Sequence, residues 1–149
     1  MAGVVCVDAS LALKWILPED FSSLADDLRV DWRRDEVTLF APPIFQAEVT
    51  SIIRERAFRG EISIVQADTI LERALRWPIT LPAPFPRLQR IAIGYAHRFN
   101  RPKAYDAQYL ALAEVLGCNL WTGDKRLVNS LQGELPWVRW VGDYSPGAS

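Results

Sequence analysis

Gly3-Val4-Val5-Cys6-Val7-Asp8-Ala9-Ser10-Leu11-Ala12-Leu13 passes from an unbroken apolar run into an acid, a small residue, a hydroxyl and a second apolar run. A valine-rich run without polar alternation is the pattern of a strand buried on both faces. Asp8 or Ser10 can cap the helix expected from about Leu11. A buried strand that turns straight into a helix is the opening unit of a parallel sheet covered by helices.

The rest of the chain repeats that alternation. Pro18 interrupts the first helix, and a second is expected from about Glu19 to Arg33. Thr38–Ala41 reads as a strand. Pro42-Pro43 then opens a helix at about Ile44–Arg59, which Gly60 stops. A further helix spans Ser63–Arg76, and Ile79–Leu81 is a third short strand. The proline-dense stretch to Pro86 is too short to separate two domains. Helix resumes from Arg87 to Phe99, and Ala104–Leu116, apolar nearly all round, reads as a central buried helix ended by Gly117. Cys118–Trp121 is a strand, Asp124–Leu131 a short helix and Trp137–Val141 a final strand. The expected fold class is α/β, a mostly parallel sheet with helices on both faces. Residues 1–144 read as a single domain and 145–149 as a loose tail.

Composition narrows the function. The chain has 149 residues, half of them apolar and 23% charged, enough for a real core and too apolar for disorder. A net charge of −1 gives no global basic field of the kind general nucleic-acid binders carry. Positive charge is mostly arginine and falls in clusters, Arg54/Arg56/Arg59, Arg98/Arg101 and Lys125/Arg126. Two cysteines without a CxxC spacing and a single histidine argue against a disulfide scaffold and a structural zinc site. The N-terminus lacks a basic leader region and no stretch is long enough to span a bilayer, so a cytoplasmic protein with no membrane association is expected.

Four carboxylates stand where strands end or helices begin, each in apolar surroundings: Asp8, Glu48, Asp106 and Asp124. Asp8 follows a buried strand, outside whose carboxyl end ligands collect in open parallel sheets. Glu48 shares a helix face with Ile44, Phe45 and Ile52 instead of lying on the polar side. Asp106 lies in the first turn of a helix with almost no solvent face, and Asp124 ends the turn Trp121-Thr122-Gly123-Asp124. Capping and the helix dipole account for Asp8, Asp106 and Asp124 taken singly, but not for Glu48. Converging carboxylates repel, and the simplest compensation is one or two divalent cations. An all-oxygen set suits Mg²⁺ or Mn²⁺, which activates water against a phosphodiester.

In order and spacing, Val4–Trp15, Glu48-Val49, Ala104–Ala113 with its Tyr105-Asp106-Ala107, and Thr122–Leu127 resemble the PIN domain, and more narrowly its VapC-type toxins. The resemblance implies a three-layer α/β/α fold and a Mg²⁺- or Mn²⁺-dependent endoribonuclease. It also implies a homodimer, and a small VapB-like antitoxin whose tail occupies the active-site groove. The four acidic positions of the family fall on Asp8, Glu48, Asp106 and Asp124, with Ser10 and Thr122 as supporting hydroxyls. Asp8, Glu48 and Asp106 would organise the metal most directly, with Asp124 completing the pocket or holding a second ion. Ser51 stands where relatives often carry asparagine, which affects a supporting contact and not the acids. Lys14, Arg54, Lys125 and Arg126 are the candidates for steering an RNA backbone.

Other readings fit less well. A phosphoacceptor domain needs an acid at the end of its third strand, where this chain has Ile79-Thr80-Leu81-Pro82. A haloacid-dehalogenase phosphatase needs an acid two residues after the first Asp, and that position is Ser10. The runners-up are a PIN nuclease of RNA or DNA processing, and a silent binding module of the same fold.

Overall fold

The computed structural model describes residues 3–147. Five parallel strands form one sheet in the order β3-β2-β1-β4-β5: β1 is Val4–Val7, β2 Thr38–Phe40, β3 Ile79–Thr80, β4 Asn119–Thr122 and β5 Val138–Trp140. β1 lies at the centre, pairing Val5 with Leu39 on one side and with Asn119 on the other. The α/β class expected from the strand–helix alternation is the one observed, in three layers.

Strand order decides where a site belongs. From β1 the chain builds outward through β2 to β3, then returns to the other side of β1 for β4 and β5. The order therefore reverses between β1 and β4, and the crevice beyond their carboxyl ends is where open parallel sheets bind ligands. Asp8 and the Thr122-Gly123-Asp124 turn stand at that point.

Among the described residues seven α-helices flank the sheet, α1 Ala9–Leu13, α2 Ser22–Arg34, α3 Phe45–Phe58, α4 Ile64–Ala74, α5 Pro86–Arg98, α6 Tyr105–Leu116 and α7 Lys125–Ser130, with a 3-10 turn at Val141–Asp143. α6 packs on β1 and β4 and against α5. Its whole middle, Ala107–Ala113, is buried, as its apolar circumference requires. The one amide in that stretch, Gln108, is satisfied by a reciprocal pair with Gln89 of α5 at 2.6 and 3.1 Å. α4 begins with a full capping box between Ser63 and Gln66.

Three details depart from expectation. α2 begins at Ser22, not Glu19, because Phe21 takes a left-handed backbone (φ 66°) and the Glu19 amide donates to Ser22 Oγ at 3.0 Å, closing a turn. Cys6 and Cys118, which nothing in the sequence brings together, have Sγ atoms 3.8 Å apart, both free. In the expected tail, the Gly147 amide donates to Asp31 at 3.2 Å beside the Tyr144 hydroxyl, which donates to the same carboxylate. Residues 148–149 lie outside the described residues.

Candidate functional site

Asp8 ends β1 and caps α1, accepting the Leu11 amide on Oδ1 at 2.9 Å. Ser10 Oγ donates to the same oxygen at 2.7 Å, and the Thr122 hydroxyl, at the end of β4, donates to Oδ2. The two hydroxyls are themselves tied down: Gly123 N donates to Ser10 Oγ at 3.0 Å and Asp124 N to Thr122 Oγ1 at 3.0 Å. Asp8 is thus both a cap and the centre of a frame joining β1 to β4. Burial pushes its pKa up, and the charge of Asp106 pushes the same way against the bonds from Thr122, Ser10 and Leu11.

Glu48 reaches this region from the first turn of α3, so the helix N-terminus favours its charge as well, which the sequence did not lead one to expect. Its Oε1 is buried without a hydrogen-bond partner, as is the hydroxyl of Tyr109. Tyr109 lies near enough to favour the Glu48 carboxylate. Burial is the main cause raising the Glu48 pKa, and Asp106 and Asp8 add to it. Tyr109 sits one turn after Asp106 on α6, and its pKa is raised by burial and by the charges of Glu48, Asp8 and Asp106. Three acids from β1, α3 and α6 therefore share one electrostatic neighbourhood. In the sequence Tyr109 reads as purely apolar; a tyrosine in a fully buried helix, whose hydroxyl needs a partner, is the signal that marks it out.

The remaining acids are engaged locally. Asp106 is half-exposed and accepts from Arg101 Nη2 at 2.7 Å. Asp124 caps α7, its Oδ1 accepting the Arg126 amide at 2.9 Å. Among the described residues, no three His, Cys, Asp or Glu side chains are gathered closely enough to hold a metal ion as they stand. The donors fit a hard cation nonetheless. They are all oxygens, two of the carboxylates are held in a setting that disfavours their charge, and Glu48 Oε1 is buried without a hydrogen bond.

The steering candidates divide. Arg54 is exposed on α3 with its guanidinium over the Phe58 ring, and Lys125 lies over Trp140 with its Nζ 4.3 Å from the ring centroid. Arg126 is exposed. Lys14 is corrected: it is buried, its Nζ donating to the Asp20 carbonyl at 2.8 Å and to Glu19 at 3.4 Å. A lysine stem inside the core with its charge spent on a loop is a clip, not a free surface cation.

The PIN domain family model matches residues 5–130. Ribonuclease VapC9 of Mycobacterium tuberculosis and VapC ribonuclease Mb0985 of Mycobacterium bovis are each 30% identical over 136 residues, covering 89% of this chain and 95% of theirs. Ribonuclease VapC3 of Mycobacterium tuberculosis is 30% identical over 98 residues, 66% of this chain and 69% of its own. The crystal structure of PAE2754 from Pyrobaculum aerophilum superposes with a TM-score of 0.66 at 21% identity, covering 95% of this chain and 93% of its own, and so shares the fold. With the family model spanning most of the chain and VapC sequences matching it nearly end to end, the chain belongs to the PIN-domain family, on its VapC branch.

Proposed function

We propose that this protein is a metal-dependent endoribonuclease, the toxin of a type II toxin–antitoxin pair, acting as a cytoplasmic homodimer restrained by a small VapB-like antitoxin. The observation that carries the reading is the shared electrostatic neighbourhood of Asp8, Glu48 and Asp106 around an unpartnered Glu48 Oε1, at the strand-order reversal. Its setting adds support: the relatives named above are called ribonucleases, and no helix among the described residues is long and apolar enough to cross a membrane.

Asp8, Glu48 and Asp106 are the residues that would hold Mg²⁺ or Mn²⁺, with Asp124 closing the rim. When bound, such an ion makes water a competent nucleophile at neutral pH and stabilises charge on a phosphate. The protein's own contribution is positional. Ser10 and Thr122 fix Asp8 through two hydrogen bonds that leave part of its acceptor capacity free. Tyr109 holds the Glu48 side of the crevice, and its raised pKa keeps it a neutral hydroxyl at physiological pH. Arg54, Lys125 and Arg126 supply exposed positive charge for a polyanion.

One observation favours a second reading, a silent binding module: Asp106 is already neutralised by Arg101. Incubating purified protein with a mixed cellular RNA pool, with Mg²⁺ or Mn²⁺ and with EDTA, separates the two. Cuts that need the ion and vanish in Asp106→Asn establish the nuclease. Absence of cleavage together with absence of divalent-ion binding establishes the module.

A further inference from the structure

β1 and β4 bring together two thiols that stand 112 residues apart in the chain. Cys6 faces Leu120 across the β1–β4 ladder, and Cys118 precedes Leu120 by two residues, so the pleat puts both side chains on one face of the sheet. Their Sγ atoms lie 3.8 Å apart. The backbone fixes both positions. Cys6 is in the central strand, and Cys118 follows the Schellman motif that ends α6. There Gly117 takes the left-handed backbone (φ 64°) and the Cys118 amide donates to the Ala113 carbonyl at 3.1 Å.

The two thiols differ in access. Cys6 is fully buried, whereas Cys118 is half-buried and lines a cavity of about 300 Å³ with Glu114, Gly117, Asn119 and Trp137. Glu114 is engaged there by the Tyr95 hydroxyl, which donates to it at 2.7 Å. The Cys6 thiol lowers the Cys118 pKa, against the opposing effect of burial. The thiolate is the reactive form of cysteine, so Cys118 is the sulfur that a small oxidant meets first. Among the described residues no third metal-ligating side chain joins the pair, which leaves it short of the four ligands of a structural zinc site.

We propose that Cys6 and Cys118 are a reversible oxidation site, which hydrogen peroxide converts into a disulfide tying β1 to the start of β4. The Cys118 thiolate attacks one peroxide oxygen and the O–O bond breaks. Two electrons pass from sulfur to peroxide, and the departing hydroxide leaves as water with the proton that Cys118 gave up. Cys118 then carries a sulfenic acid. Cys6 Sγ attacks that sulfur, the S–S bond forms as the S–O bond breaks, and the hydroxyl leaves with the Cys6 proton as a second water. One peroxide has become two waters and two thiols one disulfide, which a dithiol reductant reverses by exchange. Closing the gap between the sulfurs to about 2 Å takes rotation of the side chains, which the half-buried Cys118 can supply. None of this depends on the nuclease reading.

The test treats the full chain, reduced and then freed of reductant, with hydrogen peroxide in EDTA, and digests it without reductant for mass spectrometry. The expected product is the peptide holding Cys6 joined to the peptide holding Cys118 within one chain, with loss of two hydrogens. Dithiothreitol should return both thiols. Cys6→Ala should stop at one added oxygen on Cys118, captured by dimedone, and Cys118→Ser should leave Cys6 unreacted under the same exposure. Because the cross-link closes a loop over most of the chain, Tm should rise by about 5–10 °C in oxidised wild type. Peroxide should leave the Tm of Cys118→Ser unchanged, and the same melts show that both variants are folded. Thiols that stay free, oxygen added at Cys118 of wild type without a cross-link, or cross-links only between chains overturn the assignment. A cross-link that forms with Tm unchanged or lowered also overturns it, since the sulfurs would then have met only by distorting the fold.

Discussion

Gly123 is locked against Ser10: its amide donates to Ser10 Oγ at 3.0 Å, and a Cβ on Gly123 would lie 2.9 Å from the Ser10 carbonyl oxygen and 2.7 Å from Lys14 Cε. Backbone approaches backbone at this point because β4 must come close enough for Thr122 to reach Asp8. Lys14 Cε belongs to a flexible stem and can yield; the carbonyl cannot. Gly123→Ala is therefore expected to cost about 1–3 kcal/mol of stability and to lower cleavage by separating Thr122 from Asp8. Thermal unfolding and initial rates on one preparation check this, and an unperturbed Tm contradicts it.

Glu48 carries a prediction in pH. Burial raises its pKa, so the folded protein binds this proton more tightly than the unfolded chain does. The stability it supplies is fully present below the unfolded value, about 4.3 for glutamate, and is lost as pH rises through the higher folded value. Glu48→Gln should therefore stabilise the metal-free protein at neutral pH by about 1 kcal/mol, discounted for partial solvent screening, a Tm rise of about 2–4 °C. The gain should disappear in melts below about pH 4. A gain that does not change with pH rules out burial of the charge as its cause.

Ser10 and Thr122 each donate a hydrogen bond to Asp8, and on the proposed reading they position it. Ser10→Ala and Thr122→Ala should each lower activity about 10- to 100-fold, with an increased metal requirement. Raising the Mn²⁺ concentration should recover part of the loss. Loss that no metal concentration relieves would point to a direct role in the reaction instead.

Arg101 competes with any cation for Asp106. Arg101→Ala should tighten Mn²⁺ binding about fivefold, the equivalent of a surface ion pair worth about 1 kcal/mol. Calorimetry reads the first effect, and unchanged or weaker ion binding contradicts it.

Much of the fold and of the site is legible in the sequence because it is written in local patterns. The valine run before Asp8 announces a buried central strand, and the strand–helix alternation a parallel sheet. Glu48 betrays itself by standing on an apolar helix face. What stays hidden depends on partners distant in the chain or on backbone geometry. Lys14 looks like a surface cation because nothing local shows that Glu19 and Asp20 fold back over it. The Arg101–Asp106 pair spans a helix break, so helical spacing says nothing about it. Cys6 and Cys118 meet only because β1 and β4 are neighbours in the sheet. The local engagement of Asp106 and Asp124 is equally invisible, since any acid in a first turn can serve a cap, an ion pair or a ligand.

Asp8, Glu48 and Asp106 are proposed to hold a divalent cation between them. Calorimetric titration of Mn²⁺ into wild type, Asp8→Asn and Glu48→Gln tests it most directly, run in two buffers of different ionisation enthalpy to count protons. Wild type should bind with release of protons from the acids whose pKa values are raised. Each variant should bind at least about tenfold more weakly, as is typical when a metal ligand or its support is disturbed. Equal binding by all three proteins, or none by wild type, would contradict it.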